Sequence, residues 1–113
     1  MAVTKGDRAA ESAEIERLRA RIDTLDRRLV ELLNERARLA LEVGRAKSSA
    51  GRRAIRDAAR EREVLVRIAV ANAGPMPQAD LLALYRRLFA ATRALETEDR
   101  RRRAGRAEEP GDG

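Results

Sequence analysis

The chain contains no cysteine, no histidine and no tryptophan, and its aromatic residues are a single tyrosine and a single phenylalanine. Without cysteine there is neither a disulfide framework nor a thiolate metal site, and without histidine the commonest general base and metal ligand is gone. Any chemistry must proceed without them, and no metal or cofactor is expected. No apolar run approaches the roughly 20 residues that span a bilayer. The opening stretch MAVTKGDRAAESAE lacks the apolar core of a secretory signal. A cytoplasmic location without membrane association is therefore expected.

What remains is rich in Ala, Leu, Arg and Glu, with 39% charged residues and a formal net charge of +6 over 113 residues. That length allows one domain, and that composition favours long helices over strands. The fold class expected is all-α. The basic excess points to an anionic partner, either nucleic acid or a small acid, or to no more than a basic tail.

Residues 1–13 are small and polar with no apolar periodicity, and read as a disordered leader. From Glu14 onward Ile15, Leu18, Ile22, Leu25, Leu29, Leu32, Leu33, Leu39 and Val43 recur at three- and four-residue steps, the pattern of one long amphipathic helix. Breakers in SSAG and GRR place a loop over residues 48–56, and Asp57 is suited to cap a second helix carrying Val64, Leu65 and Ile68. The stop NAGPMP separates it from a third helix opening near Gln78, with Leu81, Leu82, Tyr85, Leu88, Phe89 and Leu95. A helical domain is thus expected over residues 14–98, followed by a charged flexible tail over residues 99–113.

A first helix of about 33 residues would be roughly 50 Å long, far beyond the ~13 Å radius of gyration of a compact 100-residue domain. Two shorter helices cannot cover its apolar stripe. A second copy of the chain can, so an intertwined homodimeric bundle is expected, three helices per chain. The structural rival, an elongated coiled coil, lacks support because strict a/d heptads are missing.

Several polar residues fall in register with the apolar stripes, where they are costly without a purpose. Arg36 lies four after Leu32, and Lys47 lies four after Val43 and eleven after Arg36, so both cations share a face. Glu61 precedes Val64 by three and Leu65 by four, with Asp57 one turn earlier and Arg60 beside it. Thr92 follows Leu88 by four, and Glu96 follows Thr92 by four. Taken singly, each is a residue that snorkels to water. Taken together, they can line one polar cavity suited to carboxylates or phosphates. Arg19 stands apart, about 26 Å from Arg36 along the same helix; an antiparallel partner could bring another Arg19 to that cavity, but spacing alone leaves it a surface residue.

The blocks LRARIDTLDRRLVELLNERARLALEVGRAK, IRDAARERE and LLALYRRLFAATRALE resemble those of the all-helical chorismate mutases over residues 15–96. The resemblance implies an intertwined dimer with two active sites that rearranges chorismate, a dicarboxylate, to prephenate. It implies that Arg36, and Arg19 from the partner chain, clamp the two carboxylates. Lys47 would reach the ether oxygen and one carboxylate. The Asp57 backbone and the Glu61 carboxylate would hold the ring hydroxyl, Arg60 would lie near the ring carboxylate, and Thr92 with Glu96 would complete the site. A concerted [3,3]-rearrangement needs no nucleophile and no proton relay, which suits a chain without histidine or cysteine. Binding in the reactive conformer and hydrogen bonds from Lys47 and Glu96 to the ether oxygen would supply the catalysis.

Where many members of that family carry Gln, this chain has Glu96, which donates only when protonated. Thr92 replaces the more usual Ser, and the segment between Lys47 and Asp57 is one residue longer. Related enzymes on the same fold act on 4-amino-4-deoxychorismate or split isochorismate, and the ring contacts do not separate these alternatives by sequence. In the stretch GRAKSSAGRRAIRDAARERE, Arg45, Arg52, Arg53 and Arg62 are expected to be solvated or steering charges. A nucleic-acid binder is the alternative of another class, suggested by Arg100 to Arg103. No stacking aromatics or recognition motif accompany that run, so nucleic acid is not the expected partner.

Overall fold

The computed structural model describes residues 4–108, with side chains through Arg106. Three helices, α1 (Lys5–Ser49), α2 (Ala58–Ala71) and α3 (Gln78–Glu108), make up the chain, and there is no strand among the described residues. This is the all-α architecture expected from composition.

The first helix starts earlier than its apolar periodicity indicates. Thr4 and Asp7 form a reciprocal cap: the Asp7 N–H donates to the Thr4 hydroxyl oxygen at 3.2 Å, and the Thr4 N–H donates to Asp7 Oδ2 at 3.4 Å. Ala9, Ala10 and Ala13 then carry the helix forward on intrinsic propensity, without an apolar stripe. The expected disordered leader is therefore helical from Lys5, and residues 1–3 lie outside the described residues. At its other end α1 closes in a Schellman motif. The N–H of Arg52 donates to the Lys47 carbonyl at 2.9 Å and that of Gly51 to the Ser48 carbonyl at 3.0 Å. Gly51 has φ 79°, a conformation glycine adopts without steric cost. The helix thus runs through Ser49, just past residue 48 where the loop is expected to open.

Asp57 caps α2 as expected, its side chain accepting the Arg60 N–H at 3.0 Å. Beyond α2, Asn72 ties the turn by donating from Nδ2 to the Met76 carbonyl and accepting the Gly74 N–H, both at 3.0 Å. Helix α3 continues through Glu108, so the stretch expected to be a flexible tail is helical to that point, and residues 109–113 lie outside the described residues. Its anchor is Asp99, only 7% exposed, which accepts Arg45 Nη2 on Oδ1 at 2.8 Å and Arg45 Nε on Oδ2 at 3.1 Å.

Two compact units divide the chain, Met1–Arg36 and Ala37–Gly113. Within the second, α2 packs on α3. Val64, Leu65 and Ile68 are half-buried, as are Leu81, Leu82, Tyr85, Leu88 and Leu95. Among the described residues Phe89 is the buried hydrophobic one, 6% exposed, and it meets Tyr85 edge to face at 6.2 Å. Within the first unit, Ile15, Leu18, Ile22, Leu25, Leu29, Leu32 and Leu33 are exposed in the single chain. No described helix is long and apolar enough to cross a membrane.

Candidate active site

The second unit brings four of the sequence-derived polar residues into one electrostatic neighbourhood. Lys47 supplies the carbonyl that closes the Schellman motif, so its side chain leaves the last turn of α1 near the start of α2. Its Nζ lies 3.7 Å from Asp57 Oδ2. The Asp57 carboxyl is held below its ordinary value, chiefly by the Arg60 N–H it accepts, with the Lys47 and Arg52 charges adding and partial desolvation opposing.

Glu96 reaches this neighbourhood from α3. Its Cγ and Cδ lie 3.6 Å from where a side chain at Gly44 would begin, an ordinary contact distance, so the carboxyl rests against the last turns of α1. Burial pushes the Glu96 carboxyl up; the Lys47 and Arg100 charges pull it down, and the Glu61 charge adds to the rise. A carboxyl so placed keeps its proton to higher pH than a solvated glutamate, and a protonated carboxyl is a hydrogen-bond donor.

Glu61, 18% exposed at its side chain, comes from the first turn of α2 and is engaged by a residue that the spacing of apolar positions did not single out. Arg93 Nη1 donates to Glu61 Oε2 at 2.6 Å and to Oε1 at 2.7 Å, and Arg56 Nε lies 3.7 Å from Oε1. The register held a signal for Arg93, which follows Phe89 by four and precedes Glu96 by three. Glu61, Arg93 and Arg56 border a cleft of 350 Å³ floored by Leu65 and Phe89. Arg100 is a second residue not anticipated: it donates to the carbonyls of Arg53 and Arg52 and so holds the segment between α1 and α2.

The remaining expected site residues are placed as follows. Thr92 is half-buried, and its hydroxyl donates to the Leu88 carbonyl at 2.9 Å. Arg60 gives its backbone N–H to Asp57, while its exposed guanidinium lies 3.5 Å from Glu63. Arg19 and Arg36 belong to the first unit. The Arg19 side chain is 70% exposed and sits 3.7 Å from Glu16; Arg36 is half-buried.

This combination, a shielded lysine, a carboxyl that burial pushes up and acids held by arginine, can bind an anion and, where that carboxyl is protonated, donate hydrogen bonds to a developing negative charge. Comparison with known proteins agrees with that chemistry. The family described as Chorismate mutase type II matches residues 18–97. A bifunctional chorismate mutase/prephenate dehydratase of Stutzerimonas stutzeri is 36% identical over 91 residues, covering 77% of this chain and 25% of that protein. One of Aquifex aeolicus is 39% identical over 87 residues, covering 74% of this chain and 24% of that protein. The chain thus spans about a quarter of the length of these relatives. Among solved structures, a chorismate mutase of Thermus thermophilus (Form II) superposes with a TM-score of 0.70 at 34% identity, covering 74% of this chain and 94% of that one. From the match across most of its length and the shared all-helical fold, the chain belongs to the chorismate mutase type II family.

Proposed function

We propose that the chain is a chorismate mutase, an isomerase that converts chorismate to prephenate by a [3,3]-rearrangement. The observation that carries the proposal is the convergence of the Lys47 cation, 3.7 Å from Asp57, and the Glu96 carboxyl, which burial pushes up and the Lys47 charge pulls down, beside Glu61. In this reading the protein forms no bond to its substrate. It folds chorismate into the conformer in which the reacting carbons meet, and donates hydrogen bonds from Lys47 and protonated Glu96 to the ether oxygen as negative charge builds there.

Arg36, and Arg19 of the partner subunit, take the two carboxylates. Glu61 and the Asp57 backbone take the ring hydroxyl, and Thr92 completes the site from α3. Arg60 turns inward from its weak surface pair with Glu63 toward the ring carboxylate. The reading includes an intertwined homodimer, supported by the apolar residues of the first unit that a single chain leaves exposed. It also includes a cytoplasmic location.

Incubation of the purified chain with chorismate, with products identified by mass and chromatography, tests the proposal. Prephenate is expected, at a rate that Lys47→Ala lowers roughly 100- to 1,000-fold, the usual cost of one donor to a developing oxyanion. Absence of turnover by the wild-type chain would overturn it.

A further inference from the structure

Glu61 is one carboxylate between two guanidinium groups. Arg93 spans both of its oxygens at 2.6 and 2.7 Å, and Arg56 stands 3.7 Å from one of them. The pair is shielded, with the Arg93 side chain 30% exposed and that of Glu61 18% exposed, so its charges are less screened than those of the surface pairs along α1. Arg62 and Arg86 border the same cleft and add positive charge. Around Glu61, therefore, the local charge is positive although the group offered to a ligand is an acid.

Two ring substituents can donate a hydrogen bond to such a carboxylate, a neutral hydroxyl and a cationic ammonium. A carboxylate has about four acceptor positions. Arg93 and Arg56 occupy up to three of them, so room is left for one further donor. The hydroxyl fills it without adding charge. The ammonium makes the same hydrogen bond but brings a third cation beside two guanidinium groups, and like charges placed together in a shielded site oppose binding.

We infer that Arg93 is a specificity-determining residue: by spanning both Glu61 oxygens and neutralising their charge, it commits the site to a substrate whose ring carries an uncharged hydroxyl and disfavours one whose ring carries an ammonium. The inference rests on the reading of the chain as a chorismate mutase in which Glu61 meets the ring. Arg93 acts through Glu61 and touches no reacting atom.

The test is the ratio of kcat/KM for 4-amino-4-deoxychorismate to that for chorismate, measured at a pH where the ring amine is protonated. The wild-type chain, Arg93→Gln and Arg93→Lys are compared. Wild type is expected to favour chorismate. Arg93→Gln is expected to raise the ratio about tenfold, mainly through KM, because one of two like charges near the ammonium is gone. Arg93→Lys retains the charge and should keep the wild-type ratio. An active Arg93→Gln chain with an unchanged ratio would overturn the inference while leaving the mutase reading intact; a wild-type chain that turns over neither compound would overturn both. Should Arg93→Gln fail to fold, Arg56→Gln, at an exposed loop position, removes the other guanidinium. It should move the ratio in the same direction by a smaller factor, and an unmoved ratio there overturns the inference equally.

Discussion

At the scale of single residues, the site turns on where protons and charges are kept. Glu96 holds its proton above the ordinary glutamate range because burial outweighs the attraction of Lys47 and Arg100. If its protonated form is the donor to the ether oxygen, activity is present below the raised value and falls as pH rises through it. Glu96→Gln, whose amide donates at every pH, should flatten that limb in a kcat profile; an unchanged limb would remove Glu96 from the mechanism. The same shift has a sign for stability: the protonated carboxyl favours the fold at low pH, and that contribution is lost as pH rises through the folded-state value. Helical register pointed to Lys47, Glu61 and Glu96, and cap chemistry to Asp57, because a residue's place on a helix face follows from its spacing. Arg93 and Arg100 escaped it for a physical reason. Arg93 lies in register with Phe89 and Glu96, but a guanidinium ends a long flexible stem, so spacing alone does not say which acid or carbonyl its charge reaches.

At the scale of elements, α1, α3 and the segment joining α1 to α2 depend on one another. Arg45 of α1 holds Asp99 of α3 with two hydrogen bonds, and the next residue, Arg100, donates to the carbonyls of Arg52 and Arg53. The stretch beyond residue 98 therefore fastens the segment that carries the chain from Lys47 to Asp57. Asp99→Asn should accelerate amide hydrogen exchange over residues 50–57 while leaving α2 protected; equal exchange in both chains would show that Arg100 holds the segment alone. The Asp99 carboxyl is kept below its usual range chiefly by the hydrogen bonds from Arg45, so this fastening is present at neutral pH and weakens as acidification passes through that lowered value. Cap chemistry made the start of α2 and the break before α3 legible, since Asp57 and NAGPMP are strong local signals. The true start of α1 was not, because Thr4 pairs with Asp7, a shorter acid than the Glu or Gln of the usual capping box, ahead of residues with no apolar stripe. The helical continuation of α3 was missed because its anchor, Arg45 with Asp99, joins residues 54 apart in sequence.

At the scale of the whole molecule, the proposed dimer shares each site between chains, and that sharing has a genetic signature. Arg19→Ala and Arg36→Ala should each lower activity on the order of a hundredfold, as loss of a positioning clamp does. Mixed after co-refolding, the two inactive chains should recover about a quarter of wild-type activity, because half of the dimers are then mixed and each mixed dimer has one intact site. No recovery would show that Arg19 serves its own chain or none. The edge-to-face contact of Tyr85 with Phe89 reaches beyond packing. With no tryptophan and no second tyrosine in the sequence, ultraviolet fluorescence and near-ultraviolet dichroism come almost wholly from this spot on α3. Far-ultraviolet dichroism, by contrast, sums over every helical turn of both units. The two optical signals therefore watch different parts of the chain, and melting curves that separate would reveal units that come apart in succession.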